Sequence, residues 1–256
     1  MNTLIVGNDK TPLLHYLPDR FLLIDDGPMA DQLDIPERRA VTHFNVQEHT
    51  FNPLKDMSYK RARDFVGVLN AVFPEGDNTL TRRYSNFILL KALLARPKSL
   101  ANLVPASKDT MDAYQQVQTL LLSPVLKRVL TNPTNMSFKG TIIAKLDRAV
   151  LGDFDAFVIG NLLASLYDGP VVIPDFGFYA CKLHRSLLRQ NRLYAGVNSF
   201  DEVPEFRSQL LLIEQKIGRG CTPDDAKMLA LYAGILPNSN AYNDFIQTMI
   251  SPPLDS

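Results

Sequence analysis

The opening stretch Met1–Leu17 reads MNTLIVGNDKTPLLHYL. It divides into a short apolar strand at Leu4–Val6, a tight polar turn at Gly7–Thr11, and an apolar helix or turn at Pro12–Leu17. This is the layout of a phosphate-binding loop. Such a loop follows a strand, turns its backbone N–H groups inward, and supplies a Lys for the β/γ-phosphates and a Ser/Thr hydroxyl for Mg²⁺. Gly7, Lys10 and Thr11 occur in that order, with Asn8 between them. The spacing falls short of G-x-x-x-x-G-K-[ST], because only Asn8 and Asp9 separate Gly7 from Lys10. Asp9 stands in place of the second glycine and would face a triphosphate with a negative charge. A round nest of inward N–H groups at Gly7–Thr11 would support phosphate binding, whereas a tight β-turn would exclude it.

Composition narrows the setting. The chain has 256 residues, 46% of them hydrophobic and 21% charged, which suits a globular protein with a sizeable core. Lys+Arg and Asp+Glu balance at 27 each, so no global field draws the chain to nucleic acid or membrane. Cys181 and Cys221 have no C-x-x-C partner and, with four scattered histidines, form no metal-ligand pattern. A reducing, cytoplasmic setting is expected, with no signal peptide and no transmembrane segment.

Outward from the opening loop, Phe21–Ile24 and Ala40–Phe44 read as strands, the first ending in the turn Asp25-Asp26-Gly27-Pro28. The middle of the chain reads as helix at Ser58–Phe73, Leu80–Ala95, Ser99–Val104 and Thr110–Leu130, the last broken at Ser123-Pro124. In the second, Thr79 or Thr81 is the expected N-cap, and Tyr84, Phe87, Ile88, Leu94 and the stem of Lys91 form the expected buried face. Strands then alternate with helices. Gly140–Leu146, Pro170–Ile173, Leu193–Val197 and Leu210–Ile213 are the expected strands. Asp153–Tyr167, Gly177–Gln190 and Thr222–Gly234 are the expected helices, with a helical turn at Val203–Gln209 and an amphipathic segment at Ala241–Ile250. The pattern predicts an α/β fold with a mostly parallel central sheet flanked by helices. Residues 1–56 and 139–256 would form the core, and 57–138 an inserted all-α subdomain.

Parallel sheets bind ligands at the carboxyl ends of their strands. Asp175 follows Pro170–Ile173 and is the expected Mg²⁺ carboxylate, with Thr11 as the hydroxyl ligand. Asn198 follows Leu193–Val197 and could polarise or sense a γ-phosphate. Arg219 could stabilise transferred charge, in cis or across a subunit interface. Each also has a purely structural reading. The Gly-Asn-Asp sequence is a common turn, Asp175 and Asn198 sit where helix caps sit, and Arg219 suits a solvated surface. Lys60, Arg61, Arg63, Arg82 and Arg83 read as a solvated face or as contacts to a nucleic-acid backbone. His184, Phe176, Phe178 and Tyr179 read as core.

The order of these segments resembles the FtsK/HerA class of additional-strand P-loop ATPases that move DNA, including conjugative coupling proteins and VirB4-type ATPases. LIVGNDKT resembles their first strand and phosphate loop, and FLLIDDG their second strand. FNPL (Phe51–Leu54) resembles the segment before their helical insertion. VVIPDFGFY is similar to their Walker B strand, RLYAGVNS to the strand after it, and LLLIEQKIGRGCTPDDAKMLALYAG to their terminal strand–turn–helix. Carried over, the resemblance gives Lys10 to the phosphate, Thr11 and Asp175 to Mg²⁺, and Asn198 to the sensor position. The chain departs from the class at the phosphate loop and at Phe176, where an acidic residue would follow the Walker B Asp.

The resemblance implies weakly held ATP and Mg²⁺, DNA, and either a homo-oligomer or a hetero-oligomer with an active ATPase. Two functions follow from it. One is a catalytically impaired assembly or interaction subunit of a DNA-translocation system, in conjugation or phage packaging. The other is an active motor with an atypical loop. A small-molecule enzyme on an unrelated α/β sheet is disfavoured, because no nucleophile–base pair, metal cluster or cofactor fingerprint is present.

Overall fold

The computed structural model describes residues 2–27, 29–33, 40–73, 79–105, 111–237 and 239–251. Pro28, Thr110 and the capping side chains of Thr79 and Thr81 lie outside the described part. In chain order the elements are β1 (Thr3–Val6), β2 (Leu22–Asp25), β3 (Val41–Phe44), α1 (Tyr59–Val72), α2 (Thr79–Leu94), α3 (Met111–Leu120), α4 (Pro124–Thr131) and β4 (Thr141–Lys145). They continue with α5 (Arg148–Leu151), α6 (Asp153–Leu166), β5 (Val171–Ile173), α7 (Phe176–Tyr179), α8 (His184–Arg189), β6 (Leu193–Val197), α9 (Arg207–Leu211), β7 (Gln215–Gly218), α10 (Pro223–Tyr232) and α11 (Asn240–Ile250). The strands form a seven-stranded sheet in the order β3-β4-β2-β5-β6-β1-β7. β1 runs parallel to β6 and β7, β5 to β2 and β6, and β3 to β4. β6 therefore separates β5 from β1.

The chain folds as two compact units, one of Met1–Arg38 with Gly169–Ala180 and His184–Ser256, the other of Arg39–Asp168 with Cys181–Leu183. In the first unit β1 is the buried centre. Leu4, Ile5 and Val6 are fully buried, each stabilising the fold by about 1.5–3 kcal/mol. β5 is equally apolar and buried along its length, as expected of a strand covered on both faces.

Two expectations fail in this unit. Leu210–Ile213 is not a strand. Leu210 and Leu211 are the buried end of helix α9, and Leu212 after them is 77% exposed. The strand is the polar Gln215–Gly218 instead. It sits at the sheet edge, paired with β1 alone, and an edge strand needs no apolar run to be held by its ladder. The expected helix Gly177–Gln190 is two short ones, α7 and α8, with Ala180–Leu183 non-helical between them. Helix α10 matches its cap signals closely. Thr222 Oγ1 accepts from the Asp225 N–H at 3.2 Å, Pro223 takes the first turn, and Gly234 follows the end at φ +75°.

In the second unit, α1 packs on α2 and α6. Ser58 caps α1 by accepting from the Arg61 N–H at 3.3 Å, and Phe65, Val68 and Leu69 face inward. Ser123 caps α4 with Pro124 in its first turn, so the break expected at Ser123-Pro124 is present. The segment Ser99–Val104 is reduced to a short 3-10 turn at Leu100–Asn102. α6 is buried on most sides, with Val158, Ile159, Leu162 and Leu163 in the core. The face expected to be buried on α2 is the exposed one. Tyr84 is 56% and Phe87 63% exposed, whereas Ser85, Leu89 and Leu93 on the other side are buried. Both sides of the helix carry apolar residues, so periodicity alone could not choose between them.

Candidate functional site at the carboxyl ends of β1, β5, β6 and β7

All strands of the first unit end on one edge, so their following residues converge: Gly7–Lys10 after β1, Asp175 after β5, Asn198 after β6 and Arg219 after β7. The fold brings together most of the residues singled out from sequence. What they do there differs from residue to residue.

The backbone donors of the β1 loop are engaged by the protein itself. The Gly7 N–H continues the β1–β6 ladder to the Val197 carbonyl at 2.9 Å. The Asn8 and Asp9 N–H groups reach the Gly220 and Arg219 carbonyls at 3.4 and 3.5 Å. The Thr11 N–H donates to Asp9 Oδ1 at 2.9 Å. The loop is thus neither a nest nor a self-contained β-turn, but a strap laid against the Arg219–Gly220 turn. Gly7 is essential to this, with φ +113° and a hypothetical Cβ 1.9 Å from the Arg219 carbonyl oxygen. The following Thr11–Tyr16 is a short 3-10 helix, not an α-helix.

Lys10 folds back so that its ammonium donates to the Gly7 carbonyl. Its stem crosses β6 where Gly196 leaves room, a hypothetical Cβ there lying 2.8 Å from Lys10 Cδ. Burial lowers its pKa from 10.5 to about 8, against the opposing pull of Glu202, then Asp175, Cys221 and Asp9. Thr11 is exposed, and Asn8 is exposed beside it.

Asp175 caps α7, its Oδ1 accepting from the Phe178 N–H at 3.4 Å. Phe176 turns away into the core, edge-on to His184 at 5.0 Å and to Phe206 at 5.5 Å. His184 is fully buried. Arg219 is half exposed and its Nη1 stands 3.9 Å from Asp9 Oδ2, a loose surface pair of small energetic weight. Cys221 closes the floor. Its thiol donates to the Val6 carbonyl at 3.1 Å, and burial pushes its pKa up to about 11.

One site residue was missed from sequence. Glu202 lies in a 3-10 turn after β6, and both its oxygens accept from Asn198, the side-chain amide at 2.8 Å and the backbone N–H at 3.1 Å. It is the strongest electrostatic partner of Lys10. The signal was present, since Ser199-Phe200-Asp201-Glu202 has the spacing of a capping box directly after a strand. Ser199 caps the turn through the Asp201 N–H at 3.2 Å.

Among the described residues no helix is long and apolar enough to cross a membrane, and no group of three or more His, Cys, Asp or Glu could hold a metal ion. The sequence matches no protein-family model and no curated protein. Among solved structures, the chain is similar to the bacterial conjugative coupling protein TrwBdeltaN70 in an unbound monoclinic form. The TM-score is 0.46 and the identity 15%, over 81% of this chain and 65% of that one. The α/β class of the fold, with its parallel central sheet, rests on its strand order and parallel register.

Proposed function

We propose that this chain is a P-loop ATPase-like subunit of a DNA-translocation system that serves in assembly or interaction and turns ATP over weakly or not at all. The system is what the resemblance of the sequence segments to the FtsK/HerA class implies. The loss of turnover is supported by one observation above the others: the N–H groups of Gly7, Asn8, Asp9 and Thr11 are already bonded to the protein. A phosphate loop works by offering such donors unpaired to oxygen. In this conformation the loop does not fit a β/γ-phosphate, and Asp9 adds an opposing charge. Thr11 as a Mg²⁺ hydroxyl and Asp175 as a Mg²⁺ carboxylate stay proposals that need the loop to open.

The alternative is an active motor, and Glu202 favours it. This carboxylate is oriented by Asn198 within the field of Lys10, and could supply the acidic group that Phe176 does not. Calorimetry with Mg²⁺–ATP separates the two readings. The interaction-subunit reading expects no binding tighter than about 1 mM. Micromolar binding, with ATPase activity lost in both Lys10→Ala and Glu202→Gln, establishes the motor instead. A DNA-binding titration over a salt series checks the nucleic-acid partner, and light scattering the oligomer.

A further inference from the structure

The balanced charge of the chain conceals a division between its two units. The second unit carries 17 Lys and Arg against 11 Asp and Glu, whereas the first carries 10 against 16. Within the second unit much of the excess gathers on one helix pair. α1 and α2 hold Lys60, Arg61, Arg63, Arg82, Arg83 and Lys91, and their one carboxylate, Asp64, is buried. A face that is merely solvated interleaves both signs. This pair presents cations alone.

Two of these cations are spent on the fold. Arg82 donates to the side-chain and main-chain oxygens of Asn70 at 3.3 and 2.9 Å and so clamps α2 to α1. The Arg61 guanidinium donates to the Lys55 and Asp56 carbonyls at 3.3 and 3.4 Å. Arg83 and Lys91 on α2 are exposed. Between them stand two aromatic rings, Tyr84 and Phe87, each more than half exposed, while Ser85, Leu89 and Leu93 hold the opposite side of α2 in the core. Arg83, Tyr84, Phe87 and Lys91 share one stripe of the helix, so rings and cations lie together along about 12 Å of its axis. Exposed apolar groups gathered in one place mark an interaction surface.

The order within the stripe selects the partner. A lipid surface takes an unbroken apolar face with cations on the polar side, but here Lys91 stands between Phe87 and Leu94. An unpaired strand of nucleic acid offers phosphates to Arg83 and Lys91 and open base faces to Tyr84 and Phe87. A duplex keeps its base faces stacked and has none to offer.

We propose that the outward stripe of α2 binds single-stranded nucleic acid, with Tyr84 and Phe87 stacking on bases and Arg83 and Lys91 meeting the phosphates. The inference rests on the preceding reading for the choice of DNA, and adds to it the surface and the strand type. On α1, Tyr59 with Lys60 and Arg63, all exposed, repeats the same composition.

Fluorescence anisotropy of the full chain with a labelled oligo(dT) of about 20 nucleotides tests this. At about 50 mM salt the Kd is expected in the micromolar range, and at least about tenfold below that for a duplex of equal length. Tyr84→Ala combined with Phe87→Ala should weaken binding by about tenfold or more and leave its salt dependence unchanged. Arg83→Ala combined with Lys91→Ala should weaken it and lower the slope of log K against log salt by about 1.4. All four side chains are exposed, so both variants should keep the wild-type urea midpoint. The surface is overturned by duplex binding as tight as single-strand binding, or by wild-type affinity in the Tyr84→Ala, Phe87→Ala variant. Capture of the chain by vesicles of anionic lipid, without binding of oligo(dT), overturns it as well. Absence of binding to either form of DNA at about 100 μM overturns both this surface and the DNA partner of the preceding reading.

Discussion

At the carboxyl ends of β1 and β6, polar groups converge and are spent on one another. At the amino ends of the same strands, Arg185 and Gln209 keep a buried donor and a buried acceptor unspent. The first edge carries the residues that look like a ligand motif, Gly7, Lys10, Thr11 and Asp175. The second carries no motif. Hydrogen-bonding capacity left over after folding is thus not measured by residue type alone. The Asn8 N–H is of the right kind for phosphate, yet the Gly220 carbonyl already holds it. Gln209 belongs to no pattern, yet its Oε1 faces nothing.

Gly7 is where the contrast between the two edges is most exposed to test. Gly7→Ala puts a methyl against the Arg219 carbonyl at a positive φ and should cost about 3 kcal/mol or more in urea unfolding. A cost below about 1 kcal/mol would mean that the strap lifts easily, and would reopen the loop to phosphate.

Lys10 comes next in size. Its folded pKa of about 8 lies below the ordinary 10.5, so between these values the unfolded chain binds more protons than the native one. Stability contributed by Lys10 therefore rises with pH across that window, by an amount on the order of 2 kcal/mol. Cys221, raised to about 11, acts oppositely above pH 9. The difference between wild type and Lys10→Met isolates the lysine: the variant should be the more stable below pH 8, with the gap closing as pH rises. A gap that does not change with pH would place Lys10 in solvent.

A smaller effect concerns the residue that sequence missed. Glu202→Gln removes the strongest group raising the Lys10 pKa, so that value should fall further below about 8 when followed by NMR of the lysine side chain. An unchanged or higher value would remove Glu202 from the site. Thr11→Ala should do least. The side chain is exposed, and the stability change should stay within about 0.5 kcal/mol with no effect on Mg²⁺–ATP titrations. Loss of nucleotide binding in this variant would contradict the closed-loop reading.

Much of the fold was legible because local chemistry announced it. Thr222-Pro223-Asp224-Asp225 capped a helix where it should, Ser123-Pro124 divided two others, and the apolar runs at Leu4–Val6 and Val171–Ile173 became central strands. Two kinds of feature were not legible. β7 was hidden because an edge strand is held by its ladder to β1 and carries no apolar run, while the neighbouring Leu210–Ile213 run belongs largely to α9. The packed side of α2 was hidden because Tyr84 and Phe87 compete with Leu89 and Leu93, and only the neighbours α1 and α3 decide which side they cover.

Local sequence was enough to set the alternation of strands and helices, the parallel sheet, and the arrival of Gly7, Lys10, Asp175, Asn198 and Arg219 at one edge. These follow from periodicity, caps and turn residues, which act over a few positions along the chain. Which polar atoms remain available at that edge was settled by long-range packing. The carbonyls of Val197, Arg219 and Gly220, which take the N–H groups of the opening loop, lie some two hundred residues further along the chain. Hydrogen bonds between segments so distant depend on how three strands stack side by side, and no local pattern encodes which donor will find which acceptor.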